Sequence, residues 1–238
     1  MPHPLPYAAA SRWTLLMILV IIGINAAVLA HMQDLLLPGA EANDNAFAFG
    51  LRYPLYPAPF LLWFTGDPFP WEDVYRLVTH GYLHGGWDHL AFNMLPFIPL
   101  AWLTACRIGT GQTVVLYHGL MVLAAIGYLI GARLTMMGYL NTGNYFLPMA
   151  GASGAVHGLA GLWVVWAVQD RAGAWTDRWE IAHRLWPAAL WLGFVIAVNI
   201  WTYVAMDGGF AWFLHVAGVV IGMALAPLIP NLSPRTPK

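Results

Sequence analysis

Between Arg12 and Gln33 lie twenty consecutive residues, Trp13–Met32, with no Asp, Glu, Lys or Arg among them. Such a run matches the ~20 residues that an α-helix needs to cross the hydrocarbon of a bilayer. Five more runs are equally free of those four residue types: His89–Cys106, Thr113–Gly131, Met149–Val168, Trp186–Met206 and Ala211–Ile229. None alternates strictly between apolar and polar residues as a barrel strand does, and a helix satisfies its own backbone in lipid. The prediction is an all-α polytopic membrane protein, a six-transmembrane-helix bundle forming one domain over residues 1–238.

Composition excludes the main alternatives. Only 9% of the chain is charged and 60% is hydrophobic, against roughly 25% charged in soluble domains. A water-soluble globule of this size could not cover its apolar groups, so the lipid bilayer is the expected solvent. A net charge of -1 gives no electrostatic footprint for nucleic acid, and no nucleic-acid partner is expected. The single cysteine, Cys106, rules out an internal disulfide framework. The long connection over residues 33–88 mixes acids, aromatics and prolines, as in Tyr53-Pro54-Leu55-Tyr56-Pro57. It is predicted to be a structured, membrane-associated loop.

Arginine and lysine placement orients the bundle. With six spans, Arg12, Arg107, Arg171, Arg178, Arg184, Arg235 and Lys238 fall on one side and Arg52, Arg76 and Arg133 on the other. The richer side, with both termini, is expected to be cytoplasmic. Cleavage of the first run as a signal peptide after Val28-Leu29-Ala30 would instead leave five spans, but that run is as long as a true anchor.

Polar and ionisable groups inside spans are costly and mark function. The candidates here are Asn25, His89, Asn93, His118, Ser153, His157, Asn199 and His215. The predicted topology puts His89, Asn93, Ser153 and His215 at one depth near the outer face, on three helices. Sixteen residues from Ser153 to Val168 span about 24 Å of helix against about 30 Å of hydrocarbon, so Ser153 lies several ångströms below the surface. Ser153, His157 and Gly161 share one helix face beside Gly154 and Gly158, and His215, Gly218 and Gly222 share another. Small residues let two helices approach closely in lipid, which would bring a serine nucleophile within reach of a histidine base.

Each feature also has a plainer explanation. Gly-Ala-Ser-Gly in a membrane helix is ordinarily a packing face, and Ala155 stands where the nucleophile elbow of soluble hydrolases has a glycine. His80 and His84, four apart, suit one helix face as metal ligands together with His89, but no Cys or well-placed carboxylate completes a set. No metal and no cofactor is therefore expected. His118 is read as a satisfied core histidine, and Asn25 and Asn199 as interhelical hydrogen-bonding groups.

The run from Tyr75-Arg76-Leu77 through His80, His84 and His89-Leu90-Ala91-Phe92-Asn93 closely resembles the rhomboid intramembrane serine proteases. Gly151-Ala152-Ser153-Gly154 resembles their Gly-x-Ser-Gly, and His215-Val216-Ala217-Gly218 through Gly222 their His-x-x-Gly-x-x-x-Gly. The three motifs occur in order and cover nearly the whole helical core. The resemblance implies Ser153 as nucleophile and His215 as general base, a dyad without a carboxylate. The nearest acid to His215 in sequence is Asp207, in the preceding loop. The resemblance further implies an oxyanion hole of His89, Asn93 and the Ser153 backbone N–H. Arg76 would brace the loop before the second span, and His80 and His84 would be structural and water-organising. Gly151, Gly154, Gly218 and Gly222 would support the site.

Departures from the family pattern are Tyr75 in place of a common Trp, Leu214 in place of a small residue, and no Glu after the second span. His157 occupies a position where the family commonly stacks an aromatic ring on the catalytic imidazole. A second imidazole can stack there or compete for the Ser153 proton, and stacking is the favoured expectation. The expected activity is endopeptidase cleavage of transmembrane protein substrates near the outer face of their spans. The alternatives are an inactive relative that binds membrane clients and, third, a metal- or haem-binding membrane protein.

Overall fold

The structure is a computed structural model. It describes residues 12–33, 50–139, 148–169 and 211–230, and positions 186, 189–190, 192–193, 195–197, 199–200 and 204 between the last two segments. In chain order the helices are α1 (Arg12–Met32), α2 (Pro57–Trp63), α3 (Arg76–Thr79), α4 (Trp87–Ile108), α5 (Thr110–Tyr139), α6 (Ser153–Gln169) and α7 (Ala211–Leu225). Three-residue 3-10 turns lie at Trp71–Asp73, His80–Tyr82 and Ala226–Leu228, and residues 50–52 are also helical. Among the described residues there is no strand, only one isolated antiparallel bridge between Leu55 and Met149.

Helices α1, α4 and the Thr110–Leu134 part of α5 are long and apolar enough to cross a membrane, and Trp212–Leu228 is a shorter apolar helix. Their outward faces carry large apolar side chains, with Phe92 62%, Leu95 66% and Leu134 78% exposed. Apolar exposure on that scale suits a lipid surround rather than water. The protein is an integral membrane protein built from helices. The fifth predicted run, 186–206, is described only in part and is helical at every described position. Arg171, Arg178, Arg184, Asp207, Arg235 and Lys238 lie outside the described residues.

Helix α6 is the centre of the bundle. Every residue from Gly151 to Leu162 is buried, so this helix contacts protein on all sides. Its glycines and alanines are the residues that permit such crowding in lipid. Phe97 and Leu100 of α4, Tyr117, Leu120 and Met121 of α5, and Leu29 of α1 share one apolar core with its buried residues. At the end remote from Ser153, Trp166 donates to the Ala226 carbonyl at 2.9 Å and Trp163 to Thr104 Oγ1 at 3.0 Å. The Arg107 guanidinium lies over the Trp166 ring, 4.4 Å from its centroid. Gly109, at φ +93°, turns the chain between α4 and α5. A positive φ of this kind is open to glycine, which has no Cβ to clash, and it permits so abrupt a reversal.

Several predicted boundaries move, and two of the shifts have a clear local cause. The third run extends to Tyr139 rather than Gly131, because Ala132-Arg133-Leu134 continue with good helix formers and no proline. The fourth helix starts at Ser153 rather than Met149. Met149 pairs its N–H and C=O with Leu55 at 2.9 and 3.0 Å, and Gly151 adopts φ +122°. Both commitments keep these residues out of the helix. The loop segment that supplies Leu55 continues into α2 and a cluster in which Phe69 meets Trp63 at 5.0 Å and Trp71 at 4.5 Å.

Candidate active site

The extended residues before α6 fix where Ser153 stands. Gly151 donates its N–H to the His80 carbonyl at 2.8 Å, and its positive φ is a conformation that favours glycine. A Cβ at this position would meet Cε1 and Nε2 of His89 at 3.0 Å, with Asn93 Nδ2 at 3.9 Å. The head of α4 is thus laid against the backbone that leads into Ser153. As the first residue of α6, Ser153 offers one of the N–H groups that a helix start leaves without an intrahelical acceptor.

The donors at the head of α4 have defined orientations. Gly85 N–H donates to His89 Nδ1 at 3.3 Å, which places the proton of a neutral imidazole on Nε2, the nitrogen facing Gly151. Asn93 Nδ2 donates one hydrogen to the His89 carbonyl at 2.9 Å. Its second N–H is left for another acceptor. Asn93 is buried and His89 half-buried.

Opposite them, α6 and α7 cross with their backbones in contact. A Cβ on Gly218 would run into the Gly154 carbonyl oxygen, one on Gly222 into that of Gly158, and one on Gly161 into that of Val219. The crossing brings His157 and His215 face to face, with ring centroids 4.1 Å apart and planes 3° from parallel. Ser153, His157 and His215 are all buried. His157 Nδ1 donates to the Ser153 carbonyl one turn below at 2.7 Å, so its Nε2 carries no proton. That atom has no hydrogen-bond partner among the described residues. His215 Nδ1 lies 2.9 Å from Asn199 Oδ1.

The histidine loop is braced from several directions. Arg76 Nε pairs with Asp73 at 2.9 Å and its guanidinium covers the Tyr56 ring at 4.9 Å. Thr79 Oγ1 donates to the Tyr53 carbonyl at 2.8 Å. His80 Nδ1 donates to the Arg76 carbonyl at 2.9 Å, while the His84 ring meets the edge of His89 at 5.0 Å. Burial pushes both His80 and His84 down to about 4, with the neighbouring His89 adding to the effect on His84. Both rings are neutral near pH 7. Among the described residues, no three or more His, Cys, Asp and Glu side chains are placed to hold a metal ion.

His118 is satisfied, as expected of a core histidine, by the Tyr82 hydroxyl and the Val114 carbonyl. Asn25 departs from expectation: its Nδ2 donates to Ile21 O of its own helix at 2.8 Å, not to a neighbour. The bond to the i-4 carbonyl uses the amide N–H without any second helix, while Asn25 Oδ1 is buried with no hydrogen-bond partner among the described residues. Asn199 bonds both within its helix, to Val195 O at 2.8 Å, and across to His215. The reading of Asn199 as an interhelical hydrogen-bonding group holds, though nothing in the sequence named His215 as its partner.

A family model described as Rhomboid domain matches residues 71–231. Rhomboid protease GlpG of Salmonella paratyphi A (strain ATCC 9150 / SARB42) is 27% identical over 165 residues, covering 67% of this chain and 50% of the relative. The proteins of the same name from Salmonella newport (strain SL254) and Salmonella typhi match to the same extent. The chain therefore spans about half the length of the curated relatives it matches.

Proposed function

The chain belongs to the rhomboid family, and from that premise we propose that it is an intramembrane serine endopeptidase acting on transmembrane segments of other proteins through Ser153 and His215. The observation that carries the proposal is the burial of Ser153, His157 and His215 along a helix crossing tight enough to set glycine against carbonyl oxygen. Backbone contact of that kind serves to hold side chains at fixed separation, which nucleophilic catalysis demands.

In the proposed reaction, Ser153 Oγ attacks the carbonyl carbon of the scissile peptide bond while its proton passes to His215 Nε2. The oxyanion that forms accepts hydrogen bonds from His89 Nε2, Asn93 Nδ2 and the Ser153 N–H. His215 then returns the proton to the departing amine as the C–N bond breaks, leaving an acyl ester on Ser153. Water, with His215 again as base, hydrolyses the ester and restores the serine. Preorganised donors are worth most in a water-poor site, where their dipoles are not screened. His157 would orient His215 through its ring face. The Arg and Lys excess at residues 12, 107, 171, 178, 184, 235 and 238 supports cytoplasmic termini and a site opening to the extracytoplasmic face.

The deciding experiment uses the full chain reconstituted in lipid with a model transmembrane substrate. Ser153→Ala and His215→Ala are each expected to abolish cleavage, the double variant to be no worse, and a fluorophosphonate to label the parent protein but not Ser153→Ala. EDTA is expected to leave the rate unchanged. Turnover by either single variant, or loss of rate on chelation restored by zinc, would overturn the proposal. A reporter fused after Lys238 tests the orientation and should be active only on the cytoplasmic side.

A further inference from the structure

A histidine base needs its proton on the nitrogen remote from the nucleophile, and the fifth helical stretch supplies a group that can hold it there. His215 Nδ1 lies 2.9 Å from Asn199 Oδ1, while Asn199 Nδ2 donates to the Val195 carbonyl at 2.8 Å. The second bond fixes the orientation of the amide, because exchanging its ends would bring two carbonyl oxygens to 2.8 Å of one another. An amide oxygen only accepts, so the His215 nitrogen that faces it must carry the hydrogen. Nε2 is then the unprotonated nitrogen.

We propose that Asn199 is a positioning residue for the base, holding His215 in its Nδ1–H tautomer and supporting the imidazolium that forms when the serine proton arrives. This rests on the assignment of His215 as base. Among the described residues, the titratable groups close to His215 are His157 from α6 and His89 from the head of α4, and neither is an acid. His157 cannot take the part of acceptor, since its ring lies parallel to that of His215 and its Nε2 lone pair points along its own ring plane rather than at a His215 N–H. The amide thus occupies the position that a carboxylate holds in the Ser-His-Asp arrangement, where that group fixes tautomer and orientation. An uncharged acceptor achieves this without placing an anion inside a membrane protein.

Three variants of the full chain test it in reconstituted form. Asn199→Leu, near in size but without an acceptor, is expected to lower kcat about 10- to 100-fold, the rate equivalent of one hydrogen bond to a charged partner, with KM within about twofold. Asn199→Asp keeps an acceptor and adds negative charge. It should retain most of kcat and move the ascending limb of the pH–rate profile to higher pH, because a carboxylate stabilises the imidazolium. The third arm is independent of turnover: ¹⁵N-histidine NMR of Ser153→Ala should show His215 as the Nδ1–H tautomer, and Asn199→Leu in that background should yield a mixture. An unchanged tautomer with unchanged kcat in Asn199→Leu, or an Asp variant as slow as Leu with the pH limb unmoved, overturns the proposal. If the parent protein cleaves no substrate, the protease assignment fails by itself, and the tautomer of His215 with and without Asn199 still decides whether the amide holds it. Should Asn199→Leu fail to fold, the Asp variant and the tautomer in Ser153→Ala decide it.

Discussion

The ring of His157 lies flat on that of His215, 4.1 Å between centroids and 3° from parallel. Its Nδ1–H is tied to the Ser153 carbonyl, and its Nε2 is a buried acceptor with no partner among the described residues. What this side chain offers is therefore a flat surface that the base can rest on. His157→Phe and His157→Tyr are expected to keep most of the activity, whereas His157→Ala should lose at least tenfold by freeing the base. Aromatic variants as inactive as His157→Ala, together with loss of one limb of the pH–rate profile, would show that His157 instead competes for the serine proton.

The α6–α7 crossing predicts a sharp division among glycines. At Gly218 and Gly222 a methyl group would enter the carbonyl oxygens of Gly154 and Gly158, backbone atoms that cannot rotate away. Gly218→Ala and Gly222→Ala should each destabilise by at least about 1–3 kcal/mol, the usual cost of overpacking, and should cut activity by separating the helices. Gly23 and Gly119 have nothing within 4 Å of an added Cβ. Gly23→Ala and Gly119→Ala should be neutral or up to about 1 kcal/mol stabilising, since alanine is the better helix former. Thermal unfolding in one detergent, with activity measured in parallel, separates the two groups. Equal tolerance at all four positions would contradict the close crossing.

The parts of this molecule that were legible in the sequence are those governed by local chemistry. Uncharged runs must be helices in lipid, so α1, α4 and α5 could be read directly, and a serine and histidines inside such runs stand out by their cost. The approach of α6 to α7 was legible in the glycines on their facing sides, but other contacts between remote segments were not. Met149-Ala150-Gly151-Ala152 is as apolar as the helix it precedes, and only pairing with Leu55 explains why α6 begins later than hydropathy suggests. Asn25 and Asn199 look alike as lone amides. One turns back on its own helix and the other reaches His215, a difference set by what packs beside each.

Acid should weaken the fold before it alters the lipid-facing helices. His80 and His84 are held down to about 4 by burial, while an unfolded histidine titrates near 6.5. Below that value the unfolded chain takes up protons that the folded chain refuses. Stability is therefore full above about pH 6.5 and declines as pH falls toward 4, by on the order of 1–3 kcal/mol per histidine. His80→Gln, whose amide can still donate to the Arg76 carbonyl, and His84→Phe should each flatten the dependence of unfolding on pH between 7 and 5. A parent protein equally stable at both values would show that these rings ionise freely.

The head of α4 gives the last prediction. Asn93 has one amide hydrogen committed to the His89 carbonyl and a second that remains to be donated. If that hydrogen meets the oxyanion, Asn93→Ala should lower kcat by about 10²–10³ with little change in KM, since the bond forms fully only in the transition state. Asn93→Asp is nearly identical in shape but has no hydrogen to give when ionised and presents negative charge to a developing anion. It should therefore be slower than Asn93→Ala. A role in packing alone predicts the reverse order, with the isosteric Asp close to the parent and Ala the worse of the two. Comparing kcat for the pair at a pH where aspartate is ionised, with unfolding measured alongside, distinguishes a donor from a spacer.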